Sequence, residues 1–175
     1  LYIRKGVPFL AQQNGGGQER QRRAGTENVA GIVGTAEALR LTQATLADDR
    51  ARIAGLAQRL RDGIERTIPR VRLNGHPDQR LANNVSYCFE GADAQELIRD
   101  LDAAGIACSA GAACGATTVE PSHVLLAMGV TLEHAASTLR LTIGHEITDG
   151  DIDYVLSVLP AIVERALAAQ LAAAS

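Results

Sequence analysis

From Cys108 to Thr118 the chain reads Cys-Ser-Ala-Gly-Ala-Ala-Cys-Gly-Ala-Thr-Thr. These side chains are small and none is a large apolar anchor, so the backbone there can move or be approached closely. A thiol at Cys114 would be exposed and able to travel, as a nucleophilic cysteine must be, whereas structural cysteines are buried and inert. On spacing alone Cys114 reads equally as a cysteine that merely sits in a flexible loop. Cys88, inside Val85-Ser86-Tyr87-Cys88-Phe89, reads as a small core residue, and Cys108, at the end of an apolar run, reads the same way. Cys108 and Cys114 do not form a CxxC pair, and His76, His123, His134 and His145 lack zinc-ligand spacing, so no metal site is expected.

Two further patterns could bind anions. Arg140 lies alone among alternating residues, Thr138-Leu139-Arg140-Leu141-Thr142. It reads either as an outward charge on a half-exposed strand or as a guanidinium aimed into a cleft, where it would fork a carboxylate through two hydrogen bonds. The glycines at 14–17 are followed by Arg20, Arg22 and Arg23 and by Thr26. Backbone N–H groups at a helix start, a threonine hydroxyl and nearby arginines together favour a phosphate. Alone, such a threonine is usually only a cap and such arginines a solvated face.

The elements that must position these residues follow from periodicity. A short strand is expected over 1–3, then a polar glycine-rich loop over 12–25. Thr26 then serves as N-cap of one long helix, or two nearly continuous ones, over 27–67, with Val29, Ile32, Val33, Ala36 and Leu39 at helical spacing. Beyond Pro69 strands are expected over 70–73 and 84–89, a helix over 93–104, a short strand over 106–108 and a helix from Pro121 that Gly129 stops. A strand over 137–143 puts Leu139, Leu141 and Ile143 on one face. Residues 148–151 cap a final helix with a clean apolar stripe from Ile152 to Leu167. The fold class is α/β, with an α+β small domain in which helices cover a small sheet. The expected domains are 1–40, the end of a larger domain and the start of a linking helix, and 41–175, a small domain carrying the Cys114 loop.

Composition narrows the function class. The chain has 175 residues, 46% hydrophobic and 21% charged, enough for a real core and too apolar for a disordered tail. Its formal net charge of −3 and its 3% aromatic content without tryptophan give no reason to expect nucleic-acid binding. A mean hydropathy of +0.01 and the lack of an uninterrupted apolar run of membrane length argue against a transmembrane span. Three cysteines make no disulfide framework, and nothing at the N-terminus reads as a targeting peptide, so a cytoplasmic setting is expected.

The order of the motifs is more specific than any one of them. Gly15-Gly16-Gly17-Gln18-Glu19-Arg20, Arg23-Ala24-Gly25-Thr26-Glu27-Asn28, Arg80-Leu81-Ala82-Asn83-Asn84-Val85, Ser109-x-Gly111-x-Ala113-Cys114, Glu120-Pro121-Ser122-His123-Val124-Leu125 and Arg140-x-Thr142-x-Gly144 occur in that sequence. Together they resemble the cysteine desulfurases of the nitrogen-fixation and iron–sulfur-cluster type, over essentially the whole chain. Those enzymes have the class V aminotransferase fold, depend on pyridoxal 5'-phosphate and work as homodimers. The resemblance implies that Cys114 is the persulfide-forming nucleophile and that Arg140 holds the α-carboxylate of substrate L-cysteine. It implies that Thr26 contributes to the cofactor phosphate site of the neighbouring subunit. The segment between Cys108 and Glu120 resembles the long loop of the first family group. Ala110 and Ala112 stand where relatives often carry serine, and Thr142 where many do, which removes hydroxyls near the nucleophile.

One departure is larger. The family's Schiff-base lysine follows a histidine in a Ser-x-His-Lys stretch, which does not occur here, and Lys5 is the only lysine. The resemblance therefore covers the C-terminal part of such an enzyme, expected to be inactive alone. In the complete enzyme the expected partners are L-cysteine and a sulfur-acceptor protein such as an iron–sulfur scaffold. A related class V enzyme (a selenocysteine lyase or an aminotransferase) and a non-catalytic persulfide carrier or docking module are the alternatives. An aminotransferase has no use for Cys114, and a mere carrier has none for Thr26.

Overall fold

The structure is a computed structural model, which describes residues 1–110 and 121–173. It divides into two compact units, Leu1–Leu46 and Ala47–Ser175.

In the first unit two short strands, β1 (Gly17–Gln18) and β2 (Arg23–Ala24), pair antiparallel with Gly17 opposite Ala24. They replace the plain loop expected over 12–25. The turn between them holds Glu19, Arg20 and Gln21 all in the left-handed region, at φ of 51°, 60° and 66°. It is closed by the Arg22 N–H donating to Gln18 O at 3.1 Å. Helix α1 (Val29–Thr67) begins two residues later than the sequence suggested. Its cap is Asn28 rather than Thr26, since Asn28 Oδ1 accepts from the Gly31 N–H at 2.9 Å and Asn28 O from Ile32. An asparagine side chain placed three residues ahead of an orphan N–H outcompetes a threonine two residues further out. Residues 1–3, expected as a strand, have no strand partner among the described residues and lie as irregular chain. A strand without a ladder has nothing to satisfy its peptide groups.

The second unit is built on a three-stranded antiparallel sheet in the order β3 (Val71–Leu73), β4 (Asn84–Phe89), β5 (Thr138–Thr142). Val71 pairs with Phe89, and Ser86 with Arg140. Period-two alternation gives the sheet two unlike faces. Val85, Tyr87, Phe89, Leu139 and Leu141 join one core with Leu56, Leu60 and Ile64 of α1. The same core takes Leu97 and Leu101 of α2 (Ala94–Ala103), and Ile152, Leu159, Ile162 and Val163 of α5 (Asp149–Ala173). Each such burial stabilises by about 1.5–3 kcal/mol. The other face is polar, and two short helices, α3 (His123–Ala127) and α4 (Leu132–Ala136), form a small cluster of their own around Leu125, Val130 and Ala135. Helix α4 lies against β4.

Local signals act as read. Asp93 caps α2 by accepting from the Gln95 and Glu96 N–H groups. Gly105, at φ +77°, lets the Ile106 N–H reach back to Leu101 O at 2.8 Å, and Gly129, at φ +80°, does the same for Val130 and Leu125 at 3.0 Å. Both are helix ends that favour a residue without a Cβ. At the start of α5, Thr148 and Asp151 cap each other: the Thr148 N–H and hydroxyl donate to Asp151 Oδ2 at 2.8 and 2.7 Å.

Over Asp149–Ala172 helix α5 is long and apolar enough to cross a membrane by length and composition, with a mean hydropathy of 1.5. The sequence had suggested no such stretch. Here its apolar stripe packs into the core, and Asp149 and Asp153 are held by Arg59 of α1.

Candidate active site

Arg140 sits in the middle of β5 and is half-buried. It shares the polar sheet face with Asn74, Ser86, Cys88 and Thr138, because residues opposite or two apart in register point to one side. Its flanks Leu139 and Leu141 are in the core. The strand thus turns Arg140 away from the apolar side, as the alternation required. On the outer edge of β5 the Arg140 N–H donates to Ser109 O at 2.6 Å and the Ser109 N–H to Arg140 O at 3.2 Å. The first residue after Cys108 is therefore stapled to the backbone of Arg140. Residues 106–108, expected as a strand, make no ladder among the described residues beyond this single bridge; Ile106 is held instead by its N–H bond to Leu101 O and by burial in the core.

The polar face is wired by hydroxyls and an amide. Asn74 Nδ2 donates to Ser86 Oγ at 3.2 Å and Thr138 Oγ1 at 3.3 Å, and the Thr138 hydroxyl donates to His134 O at 2.9 Å. Cys88 Sγ lies 3.0 Å from Ser137 Oγ. Sequence reading singled out none of Asn74, Ser86, Thr138 and Ser109. The alternation Asn84-x-Ser86-x-Cys88 facing Thr138-x-Arg140-x-Thr142 was the signal that could have found the strand members.

The cysteines separate by environment. Cys88 is buried, and desolvation raises its thiol pKa against the smaller opposing effect of Ser137. Burial, with Asp102 adding to it, likewise raises Cys108. Both are free thiols held in the protonated, unreactive form. Cys114, the expected nucleophile, lies outside the described residues. An apolar cleft of ≈ 440 Å³ opens beside β5, lined by Leu60, Ile106, Leu141, Ile143, Ile152 and Val155 among others. Arg140 does not line it.

Thr26 belongs to the first unit. Its side chain is exposed, and its hydroxyl makes no hydrogen bond among the described residues. Arg23 folds back so that its Nη1 donates to the carbonyls of Ala24 and Thr26 at 3.0 and 3.3 Å. A free hydroxyl two residues ahead of a capped helix start, with Arg20 and Arg22 in the adjoining hairpin, suits a phosphate monoester. A buried or self-bonded threonine would not.

The sheet buries its apolar face under helices and carries Arg140, with Arg72 of β3, on its polar face. Residues 7–155 match the family described as aminotransferase class-V. The chain belongs to that family. Among characterised proteins it is 46% identical over 167 residues to a cysteine desulfurase IscS of Clostridium botulinum, covering 94% of this chain and 42% of the relative. It is 48% identical over 165 residues to a cysteine desulfurase IscS of Methanosarcina thermophila, covering 94% and 41%. Of solved structures, a NifS-like protein superposes with a TM-score of 0.80 at 30% identity, covering 94% of this chain and 41% of that one. A NifS-like protein from Rickettsia africae superposes at 0.76 and 29%, covering 90% and 40%. The chain thus spans about two fifths of the length of the relatives it matches.

Proposed function

We propose that the protein containing this chain is a pyridoxal-phosphate-dependent cysteine desulfurase that converts L-cysteine to L-alanine and leaves the sulfur as a persulfide on Cys114. The observation that carries the reading is the 46% identity to cysteine desulfurases over 94% of the chain. The half-buried Arg140, stapled through its backbone to Ser109, five positions ahead of Cys114 in sequence, supports it.

In this reading Arg140 forks the α-carboxylate of cysteine and orients the substrate. The Thr26 hydroxyl holds the phosphate of the cofactor. Bound pyridoxal phosphate supplies an electron sink for the bonding pair of the substrate's carbon–sulfur bond. The Cys114 thiolate attacks the substrate sulfur, so that a sulfur–sulfur bond forms as the carbon–sulfur bond breaks, and the carbon then takes a proton to become alanine. The Ser109 bridge holds the residue that follows Cys108, and Cys114 delivers its sulfur to an acceptor protein such as an iron–sulfur scaffold. The same reading makes the full-length protein a cytoplasmic homodimer, with its free Cys88 and Cys108 in a reducing setting. It also makes the isolated chain inactive, because Lys5 does not lie in a Ser-x-His-Lys stretch.

The test is sulfur and alanine release from L-cysteine by the full-length, cofactor-loaded protein. Cys114→Ala should release no alanine and hold no persulfide, while Cys88→Ala and Cys108→Ala stay within a few-fold of the parent. Turnover that survives Cys114→Ala but not Cys108→Ala overturns the assignment of the nucleophile.

A further inference from the structure

We infer that Ser86 supplies a second hydrogen-bond donor beside Arg140, aimed at the carboxylate that Arg140 binds, and that Asn74 and Thr138 set its direction. The inference rests on the desulfurase reading, in which the ligand of this face is an amino acid.

Ser86 is directly opposite Arg140 across β4 and β5. Arg140 spends its own N–H and C=O on Ser109 at the other edge, so Ser86 and Arg140 form a non-hydrogen-bonded pair. In such a pair the side chains stand closest, with Cβ atoms about 4.5–5.5 Å apart. The direction of the network is fixed from its far end. Thr138 gives its proton to His134 O, so toward Asn74 it can only accept. That places the Asn74 amide nitrogen, not its oxygen, on Thr138 and Ser86. Ser86 therefore accepts from Asn74 and donates its own proton to no acceptor among the described residues, and Asn74 Oδ1, buried on the same face, is likewise left without a donor. Asn74 is 5% and Ser86 9% exposed, so little solvent reaches either to take that proton. A buried hydroxyl with an unspent donor costs free energy unless a ligand accepts from it. The neighbouring side chain on that face is a guanidinium, so the acceptor that suits both is an anion with two oxygens.

The experiment uses the full-length, cofactor-loaded protein with Ser86→Ala, Ser86→Thr and Arg140→Lys. With L-cysteine, Ser86→Ala should raise KM about tenfold with kcat within about twofold, the loss expected for one hydrogen bond to a charged group. Ser86→Thr, which keeps the hydroxyl, should restore it. With cysteamine, which lacks the carboxylate, Ser86→Ala and the parent should behave alike. Calorimetric titration with 3-mercaptopropionate should show the same tenfold loss of affinity without turnover. Should Ser86→Ala fail to fold, Ser86→Cys, a weak donor of similar size, carries the same expectation. An unchanged KM for L-cysteine, or an equal loss with cysteamine, overturns the proposal. If Arg140→Lys raises KM for L-cysteine but Ser86→Ala does not, only the Ser86 inference fails. If neither does, the carboxylate is not bound on this face and the Arg140 assignment fails as well.

Discussion

Helix α1 shows two kinds of surface along one continuous element. Toward its C-terminal end Leu60 is 2% and Ile64 0% exposed, enclosed by the sheet and by α5. Toward its N-terminal end, in the first unit, Val29 is 65% and Val33 61% exposed, and Ile32, Leu39 and Leu41 are open as well. Both halves carry apolar stripes at helical spacing, yet only one is covered. The same contrast holds for the units as wholes. The second contains the core, and the first offers Leu1, Tyr2 and Leu10 to solvent. An apolar stripe states that a helix has a buried side somewhere; it does not state which chain buries it.

Truncating side chains in each half should give the largest difference in stability. Leu97→Ala or Leu139→Ala, both at completely buried positions of the second unit, should destabilise by about 2–5 kcal/mol, read by denaturant unfolding. Val33→Ala in the exposed half should change stability by less than about 0.5 kcal/mol. Equal effects would mean that the first unit shares a core the structure does not show. Next in size is Gly63→Val. A Cβ at Gly63 would stand 2.4 Å from Leu156 Cδ2, so the Leu156 side chain or the packing of α1 against α5 must shift, costing about 1–3 kcal/mol. Gly34, with nothing within 4 Å of its Cβ position, should accept alanine without loss.

Two smaller effects sharpen the contrast. Replacing Val29, Ile32 and Val33 together with serine should lower binding of a hydrophobic dye while leaving the melting transition of the second unit in place. Titration should separate the thiols. Burial raises Cys88, so the fold favours its protonated form. That stabilisation is fully present below the ordinary thiol pKa and is lost as pH rises toward the raised folded value. Tyr87 is raised in the same direction, by desolvation and by its hydrogen bond to Glu65. Melting temperature should therefore fall as pH climbs above the ordinary thiol range, and Cys88→Ala should flatten the early part of that fall. Alkylation of Cys88 in the native protein should be far slower than in urea. Rapid native alkylation would show that the polar face opens.

Much of the second unit was legible because its signals are local. The β4 bounds 84–89 agree with its local alternation, and Asp93 caps the expected α2 and Thr148 with Asp151 starts α5 through hydrogen bonds spanning two or three residues. Helix α4 was not legible. Leu132–Ala136 is too short to show a period, and it exists because Thr131 caps it and Ala135 packs with Leu125 and Val130. The start of α1 was misplaced because two side chains competed for one cap and only the backbone path chose Asn28. Of the candidate site, Arg140 and Thr26 were legible as residue types, and the resemblance to desulfurases supplied their roles.

Residue order alone sets which residues can form a face: a period of two in β4 and β5 and of 3.6 in α2 and α5 follow from covalent geometry and side-chain type. It determined the motif order that places the chain in its family, since that order needs no coordinates. Tertiary structure decided which faces are used. Ser86 stands opposite Arg140 only because β4 and β5 pair in one register, and a slip of one residue would put Ser86 opposite an apolar neighbour. Ser109 reaches Arg140 across 31 positions of chain only because the edge of β5 is open to it. Contacts between residues far apart in sequence depend on register and on which edges are left free, and these are settled by the packing of the whole core rather than by any local run of residues.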